Sequence, residues 1–118
     1  MQIETRLVAH LERYLDLTVS EAKLTASNIA NIDTPGYRTL GFNFADEMKQ
    51  ALAASEAGRN HGLHLEEVQG LISRPDGNNV SMDREGLHLA EAQLKFSTGI
   101  ALLRLENRRI MNAMNDER

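Results

Sequence analysis

Residues 27–44, which read SNIANIDTPGYRTLGFNF, constrain the fold most because they end a long helical pattern and then turn the chain. Pro35 presets φ for the second position of a four-residue turn, and Gly36 supplies the positive φ that a type II turn needs at the third. Proline also disfavours the helical conformation of the residue before it, so we predict that the helix stops by about Asp33. A helix, a sharp turn and an extended segment should therefore follow one another.

Two asparagines and three aromatic residues flank this turn. Asn28 and Asn31 lie one helical turn apart at the helix end, where short amide side chains can satisfy free backbone groups. Tyr37, Phe42 and Phe44 come directly after the turn. We expect these aromatic side chains to pin the emerging segment against a neighbouring surface.

The segment before the turn, residues 2–31, has apolar side chains at helical spacing. They are Ile3, Leu7, Leu11, Tyr14 or Leu15, Ala22, Ala26 and Ile29. A helix of about 30 residues is roughly 45 Å long. Because isolated helices are only marginally stable in water, so long a helix needs a partner of similar length.

A second long helix is predicted over residues 83–114, with Ser81 or Asp83 as its N-cap. One apolar row recurs every seven residues, at Met82, Leu89, Phe96, Leu103 and Ile110, and another runs through Leu87, Leu94 and Ala101. Together the rows are broader than a two-stranded seam requires. Either they form the buried face of a helical hairpin, or one face pairs with the N-terminal helix while the other packs on neighbouring subunits. Gly99 would let another backbone approach this helix closely.

The segment between the two helices is irregular. A short helix is predicted over residues 45–53, with Asn43 as a possible N-cap, and the polar residues 55–62 suggest a loop. Apolar alternation over residues 63–72 is consistent with a small strand or hairpin. A second turn is expected at residues 74–79, where Asp-Gly and Asn-Asn occur.

The predicted fold is therefore mainly α. Long N- and C-terminal helices pair as an elongated, coiled-coil-like hairpin, and the irregular middle contains a short helix and a small β-hairpin. At 118 residues the chain has the length of one domain. Its parts are an N-terminal helix (1–33), a turn and variable middle segment (34–80), and a C-terminal helix (81–118).

Composition excludes several classes of protein. A net charge of -4 provides no basic footprint for nucleic acid, and the absence of cysteine excludes disulfides, thiolate metal sites and cysteine nucleophiles. No stretch approaches the roughly 18 apolar residues of a membrane span. The amphipathic N-terminus, which carries charged residues, does not have the continuous apolar centre of a cleavable signal peptide.

Catalytic and metal-binding patterns are not found either. The sequence has no glycine-rich phosphate loop, Gly-x-Ser-x-Gly elbow or His-Glu-x-x-His helix. His61 and His64 are three positions apart, but a metal site would need a third ligand such as the distant His88. The loop that begins at Asp76 lacks the carboxylate ladder of a calcium site. We predict no catalytic residue, no cofactor and no metal.

Two motifs resemble those of a known family. The run Asn-Ile-Ala-Asn at residues 28–31, followed by Asp-Thr-Pro-Gly-Tyr at residues 33–37, resembles the N-terminal signature of flagellar axial proteins, the rod, hook and hook-associated subunits. Asp-Gly-Asn-Asn-Val at residues 76–80, with Met-Asp-Arg-Glu at residues 82–85 entering the C-terminal helix, is similar to proximal rod subunits. The resemblance covers nearly the whole chain and is weakest between residues 51 and 73.

The resemblance implies a structural subunit of the bacterial flagellar basal body. Such a subunit self-assembles with other proximal rod proteins into the helical drive shaft that transmits torque from motor to hook. Its partners would be copies of itself, the other proximal rod proteins, the adaptor protein at the rod base and the flagellar type III export apparatus. It would lie in the rod, in the periplasm, after export without a cleaved signal peptide.

The candidate assembly residues lie in the first motif, in the aromatic segment after it and on the C-terminal helix. They are Asn28, Asn31, Pro35, Gly36, Tyr37, Phe42, Phe44, Leu89, Phe96, Leu103 and Ile110. Within the family, the alternative is the sister proximal rod protein, which shares the first motif but should lack the second in this form. Outside the family, the alternative is a cytoplasmic helical binding or regulatory module.

Overall fold

Three helices and two short strands make up residues 5–58 and 62–116, the part of the chain that the computed structural model describes. They are α1 (Arg6–Ala30), β1 (Leu40–Gly41), α2 (Phe44–Glu56), β2 (Glu66–Glu67) and α3 (Met82–Asp116). The molecule measures 69 × 28 × 18 Å, and its radius of gyration is 18.3 Å. A compact domain of this length has a radius of gyration of about 13 Å. The predicted elongated, mainly helical fold is confirmed.

α1 begins and ends at residues whose side chains satisfy free backbone groups. The Thr5 hydroxyl accepts a hydrogen bond from the amide of Val8 at 3.1 Å and so caps the first turn. At the other end, Nδ2 of Asn31 donates to the carbonyl oxygen of Ser27 at 2.8 Å. Gly36 has a φ of +76°, as a type II turn requires at its third position. The helix therefore stops before the turn, as the sequence predicts.

α1 and α3 run antiparallel along a seam that small and polar residues form. The buried residues of α3 are spaced by seven positions and are Glu85, Ala92, Gly99 and Glu106. A Cβ added at Gly99 would lie 2.7 Å from Cδ2 of Leu15 and 3.2 Å from Cδ1 of Tyr14, so a larger residue here would force these side chains to move. Gly99 thus allows close approach as expected, but it is a side chain of α1 that approaches.

Neither of the two apolar rows of α3 lies in this seam. Leu89, Leu103 and Ile110 are only half-buried along its edge, and Phe96 is exposed. In the second row, Leu87 is 62% exposed and Leu94 is 70% exposed. The interpretation of both rows as the buried face of a hairpin is therefore wrong for the second row.

The middle segment packs on one side of α1. Oδ1 of Asn43 accepts a hydrogen bond from the amide of Asp46 at 3.0 Å, which confirms the predicted N-cap of α2. The Phe44 ring meets the Tyr14 ring edge-on, with centroids 5.5 Å apart. β1 and β2 pair antiparallel, with Leu40 opposite Glu67. The small sheet was expected as a hairpin within the middle segment. In the structure its two strands are separated along the chain by α2, so they do not form a hairpin.

The hydrophobic core is small. Among the described residues, the buried hydrophobic side chains are Val8, Leu11, Val80 and Ala92. More of the buried residues are polar or charged, namely Thr18, Thr25, Asn28, Thr39, Glu47, Asn78, Asn79, Glu85 and Glu106. Within the same residues, no helix has the length and apolar character needed to span a membrane. The fold is therefore organised by buried polar contacts as much as by an apolar core.

Candidate functional site: a polar clamp at the end of α1

Asn28 is the centre of a buried polar cluster between the last turn of α1 and the first turn of α3. It is 2% exposed, and its Nδ2 donates to the carbonyl oxygen of Leu40 at 2.9 Å and to Oε2 of Glu85 at 3.4 Å. Its Oδ1 accepts from the hydroxyl of Tyr37 at 2.9 Å and from the amide of Leu40 at 3.3 Å. One amide side chain therefore joins both long helices to the segment after the turn.

Asn78 holds the turn itself from the other side. Its Nδ2 donates to the carbonyl oxygens of Asn31 and Thr34 at 2.8 and 2.9 Å, and its Oδ1 accepts from the amide of Val80 at 2.8 Å. The amide of Gly36 also donates to the carbonyl oxygen of Asp76 at 2.8 Å. The two sequence motifs thus meet in space, and the second one fixes the conformation of the first.

Two further residues of the second turn extend these contacts. Oδ1 of Asn79 accepts from the amide of Thr39 at 2.6 Å. The Arg74 guanidinium donates to the carbonyl oxygen of Val80 at 2.8 Å and to that of Ile32. We use the name polar clamp for the four buried residues Asn28, Asn78, Asn79 and Glu85. Nδ2 of Asn79 has no hydrogen-bond partner among the described residues, whereas the hydrogen-bonded groups of the clamp rigidify and specify the local structure.

The carboxylate of Glu85 is the buried charge of the clamp. It is 1% exposed, and its Oε1 lies 2.6 Å from Nη1 of Arg84. A buried carboxylate is tolerated only when it is paired and hydrogen-bonded, and Arg84 and Asn28 supply those partners. About three turns further along α3, Lys95 pairs with Glu21 at 3.2 Å and lies 4.0 Å from the centroid of the Phe44 ring.

A polar cleft of about 340 Å³ opens beside the clamp, and the carboxylates that line it are already engaged. Glu67 bonds to Arg38 at 2.7 Å, and Glu66 lies 3.2 Å from Nε2 of His64. Glu21 and Glu85 have the partners given above. All four carboxylates that line the cleft therefore have partners within the chain.

No group of histidine, cysteine and acidic residues in the described parts of the chain could hold a metal ion. His61, one of the histidines considered above, lies outside the described residues.

The lowered pKa of Glu106 has a structural cause. Arg109 hydrogen-bonds to its carboxylate at 2.9 and 3.1 Å, and this holds the pKa of Glu106 below its ordinary value. Both residues lie far along α3 from the clamp.

The predicted assembly residues of the first motif fall into two kinds. Asn28 and Asn31 bond within the chain, and Tyr37 is half-buried on Asn28. Pro35 and Gly36 are exposed at the tip of the turn. The first three residues therefore set the position of the tip, and the last two present it to the surroundings.

The other predicted residues lie on two separate surfaces. Phe42 and Phe44 are half-buried, with ring centroids 6.5 Å apart, where β1 leads into α2. Phe96 is exposed on α3, and the half-buried Leu89, Leu103 and Ile110 share its row. The structure places the first motif at one end of the α1–α3 pair, Phe44 further along it against Tyr14, and the α3 row along its length.

Sequence reasoning did not single out Asn78, Asn79, Glu85 and Arg74 as site residues. Their bonding partners are 40 or more positions away in several cases, so local patterns could not reveal them. The one available signal was the resemblance, because three of the four lie in the second family motif.

Comparisons with known proteins show which chains this sequence is similar to. The model of a family described as flagella basal body rod protein matches residues 21–38, which contain the end of α1 and the turn. The flagellar basal body rod protein FlgB of Salmonella typhimurium is 31% identical, over 85% of this chain and 86% of its own length. The FlgB proteins of Cereibacter sphaeroides and Escherichia coli are 32% and 27% identical to this chain. Each match covers 85% of this chain, and the matches cover 84% and 86% of the length of the two relatives.

Proposed function

This chain belongs to the FlgB family of flagellar basal body rod proteins and is a structural subunit of the rod, and we propose that it builds the proximal part of the drive shaft. In this proposal it assembles with copies of itself and with other proximal rod proteins into a helical tube. The tube transmits torque from the motor to the hook. The observation that supports the proposal best is that many large apolar side chains of the described residues are exposed, whereas only Val8, Leu11 and Val80 among them are buried.

The exposed apolar side chains are concentrated on α3. They include Met82, Leu87, Leu94, Phe96, Leu102, Leu105, Met111 and Met114. Exposed apolar surface on this scale marks an interaction site, because burial contributes roughly 25 cal/mol for each Å² removed from water. A head-to-tail contact that does not close generates a helical filament. The subunit therefore completes its core on its neighbours.

The polar clamp gives each subunit a fixed shape for this packing. It sets the angle between α1 and the segment that follows, so the exposed tip at Pro35 and Gly36 is presented in one orientation. Asn28, Asn31 and Tyr37 act through that positioning. Direct contacts are assigned to the tip, to Phe42 and Phe44, and to the α3 row. That row consists of Leu89, Phe96, Leu103 and Ile110.

The free subunit is proposed to be ordered at the clamp and partly disordered towards the termini. Beyond Glu106, no described residue of α3 is buried. Ordering of such helices on incorporation would allow the chain to pass a narrow export gate unfolded and to fold in the rod. We assign it no catalytic role and no cofactor.

The remaining assignments extend from the family. The other partners proposed are the adaptor protein at the rod base and the flagellar type III export apparatus. The proposed location is the periplasmic part of the basal body, which the chain reaches without a cleaved signal peptide.

The test is to isolate intact basal bodies from the native cell, strip the membrane fraction and quantify the chain by mass spectrometry. A basal-body ring protein and an abundant cytoplasmic protein serve as positive and negative controls. Retention with the ring protein is expected. Loss of the chain with the cytoplasmic protein would contradict the proposal and favour a cytoplasmic helical regulator instead.

A further inference from the structure

An apolar groove of about 540 Å³ runs between α1 and α3 on the side away from α2 and the sheet, neither of which contributes a lining residue. Its walls are Val19, Ala22, Lys23, Ala26, Gln93 and Phe96. The buried residues Thr18 and Ala92 form its floor. We call this feature the groove. Its volume and apolar lining suit the side chains of a further helix.

The same chain presents a matching apolar row on another face. Leu87, Leu94 and Ala101 lie about 200° around α3 from the seam residues, at 100° per residue. They therefore project away from α1, and Leu87 and Leu94 are among the most exposed large apolar residues. We call this row the ridge. A ridge and a groove on different faces of one subunit form a heterologous pair, which can repeat from copy to copy.

The groove has a positive charge near one end. Glu21 pairs with Lys95, and Asn28 bonds to Glu85, so the stretch of α1 between them lies opposite residues 85–95 of α3. Lys23 lies in that stretch on the wall of the groove. It is exposed and makes no ion pair with any described residue.

A negative charge lies on α1 beyond the other end of the groove. Glu12 lies one heptad before Val19 and so continues the same wall of α1. Leu15 packs on Gly99, which places Glu12 opposite the turn of α3 that follows Gly99. Glu12 is also exposed and without an ion pair among the described residues.

The charges beside the ridge have the complementary order. Glu91 flanks Leu94 near the N-terminal end of α3, and Arg104 follows Ala101 further along. Arg104 makes no ion pair with a described residue, and Glu91 has only a 3.9 Å contact with His88. Read in the direction of α3, the ridge is first negative and then positive, whereas the groove and the stretch of α1 beyond it are first positive and then negative.

We infer that the ridge of one copy of this chain lies in the groove of the next copy, with the two α3 helices parallel and nearly level. This arrangement places Glu91 beside Lys23 of the neighbouring copy and Arg104 beside its Glu12. An antiparallel neighbour would bring like charges together at both ends. The inference rests on the proposed function, because it takes a second subunit of the rod as the occupant.

Disulfide cross-linking tests the contact, since the chain has no native cysteine. The full-length variant with both Val19→Cys and Leu94→Cys replaces the wild-type chain in the native cell, and isolated basal bodies are oxidised. Non-reducing electrophoresis should show a ladder of multiples of the chain. The matched control combines Leu94→Cys with Lys49→Cys on the exposed side of α2 and should show no ladder.

If the chain is present in basal bodies, three results would overturn the inference. They are the absence of a cross-link, a dimer formed by a chain that carries Leu94→Cys alone, and a cross-link to a different protein. The dimer would mean that two ridges face each other. Absence of the wild-type chain from basal bodies would instead contradict the proposed function. The two failures are therefore distinguishable.

Charge reversal provides a second test that does not depend on cysteine. Lys23→Glu should lower incorporation into basal bodies severalfold, because the introduced carboxylate then faces Glu91 of the neighbouring copy and the two like charges repel. Adding Glu91→Lys to the same chain should restore most of the incorporation. Failure of the double variant to recover, or normal incorporation of the single variant, would contradict the parallel arrangement.

Discussion

The two ends of the α1–α3 pair are stabilised in different ways. At the clamp end, Asn28, Asn78 and Glu85 are buried, and their polar groups bond within the chain. At the other end, Val8 and Leu11 are buried on α1, but α3 has no buried residue after Glu106. The clamp end is therefore held by hydrogen bonds within a single chain, whereas the outer end of α3 has few contacts within the chain. A rod subunit needs both properties, a fixed shape and apolar surface that its neighbours can cover.

The largest expected effect comes from breaking the clamp with Asn28→Asp. The substitution replaces the amide that donates to Glu85 and Leu40 by a second carboxylate beside a buried one. Removing a partner from a buried charge costs about 3–5 kcal/mol. Urea unfolding followed by far-UV circular dichroism should show this loss. Asn112→Asp, on the exposed outer part of α3, is the matched control and should leave the midpoint nearly unchanged.

A smaller loss is expected from Gly99→Leu, which acts on the seam between the two ends. Its side chain would collide with Leu15, and overpacking of this kind costs about 1–3 kcal/mol. Gly86→Ala is the control, because an added Cβ there has no neighbour within 4 Å and alanine favours a helix by about 0.5–1 kcal/mol. If both glycine variants changed stability in the same direction, the close approach at Gly99 would not be a feature of the seam.

A still smaller effect is expected from the Glu106–Arg109 pair, and it depends on pH. The hydrogen bond from Arg109 holds the pKa of Glu106 below its ordinary value. A lowered pKa in the folded state contributes stability above the ordinary carboxyl value, and this contribution is lost as pH falls through the lowered value. The stability difference between the wild-type chain and Arg109→Gln should therefore be largest near neutral pH and shrink at acid pH. A difference that grew on acidification would contradict the pairing.

The smallest effect on the isolated chain is expected from Leu94→Ala, because this side chain is mostly exposed. The free energy of unfolding of the isolated chain should change by less than about 0.5 kcal/mol. The matched substitution Leu11→Ala removes a buried side chain and should cost about 2–5 kcal/mol. In the cell, however, Leu94→Ala should reduce incorporation into basal bodies and swimming. If Leu94→Ala unfolded the chain or left assembly untouched, the ridge would not be an intersubunit surface.

Local chemistry was sufficient to predict much of the fold. Pro35 and Gly36 determine where α1 ends, and the Asn43 cap marks the start of α2. Ser81, one of two predicted caps, is the one that bonds the first turn of α3, through its contact with the amide of Arg84 at 3.3 Å. These features depend on residues within four positions of each other, so a sequence motif contains all the necessary information.

The position of each face of α3 could not be predicted in the same way. Periodicity shows that Leu87 and Leu94 share a face, but an apolar row has the same pattern whether it packs within a chain or between chains. The seam instead follows the small residues Ala92 and Gly99, which let α1 approach closely. The bond between Asn28 and Glu85 spans 57 positions and depends on the completed hairpin.

Hydrogen exchange on the free, full-length chain tests the contrast between the two ends most directly. Amides in residues 18–30 and 82–95, which the clamp and the nearby seam hold, should be protected. Amides in residues 100–116 should exchange quickly in the free chain and slowly in assembled rods. Protection along the entire length of both helices in the free chain would contradict the account, because the outer end would then be complete without neighbours.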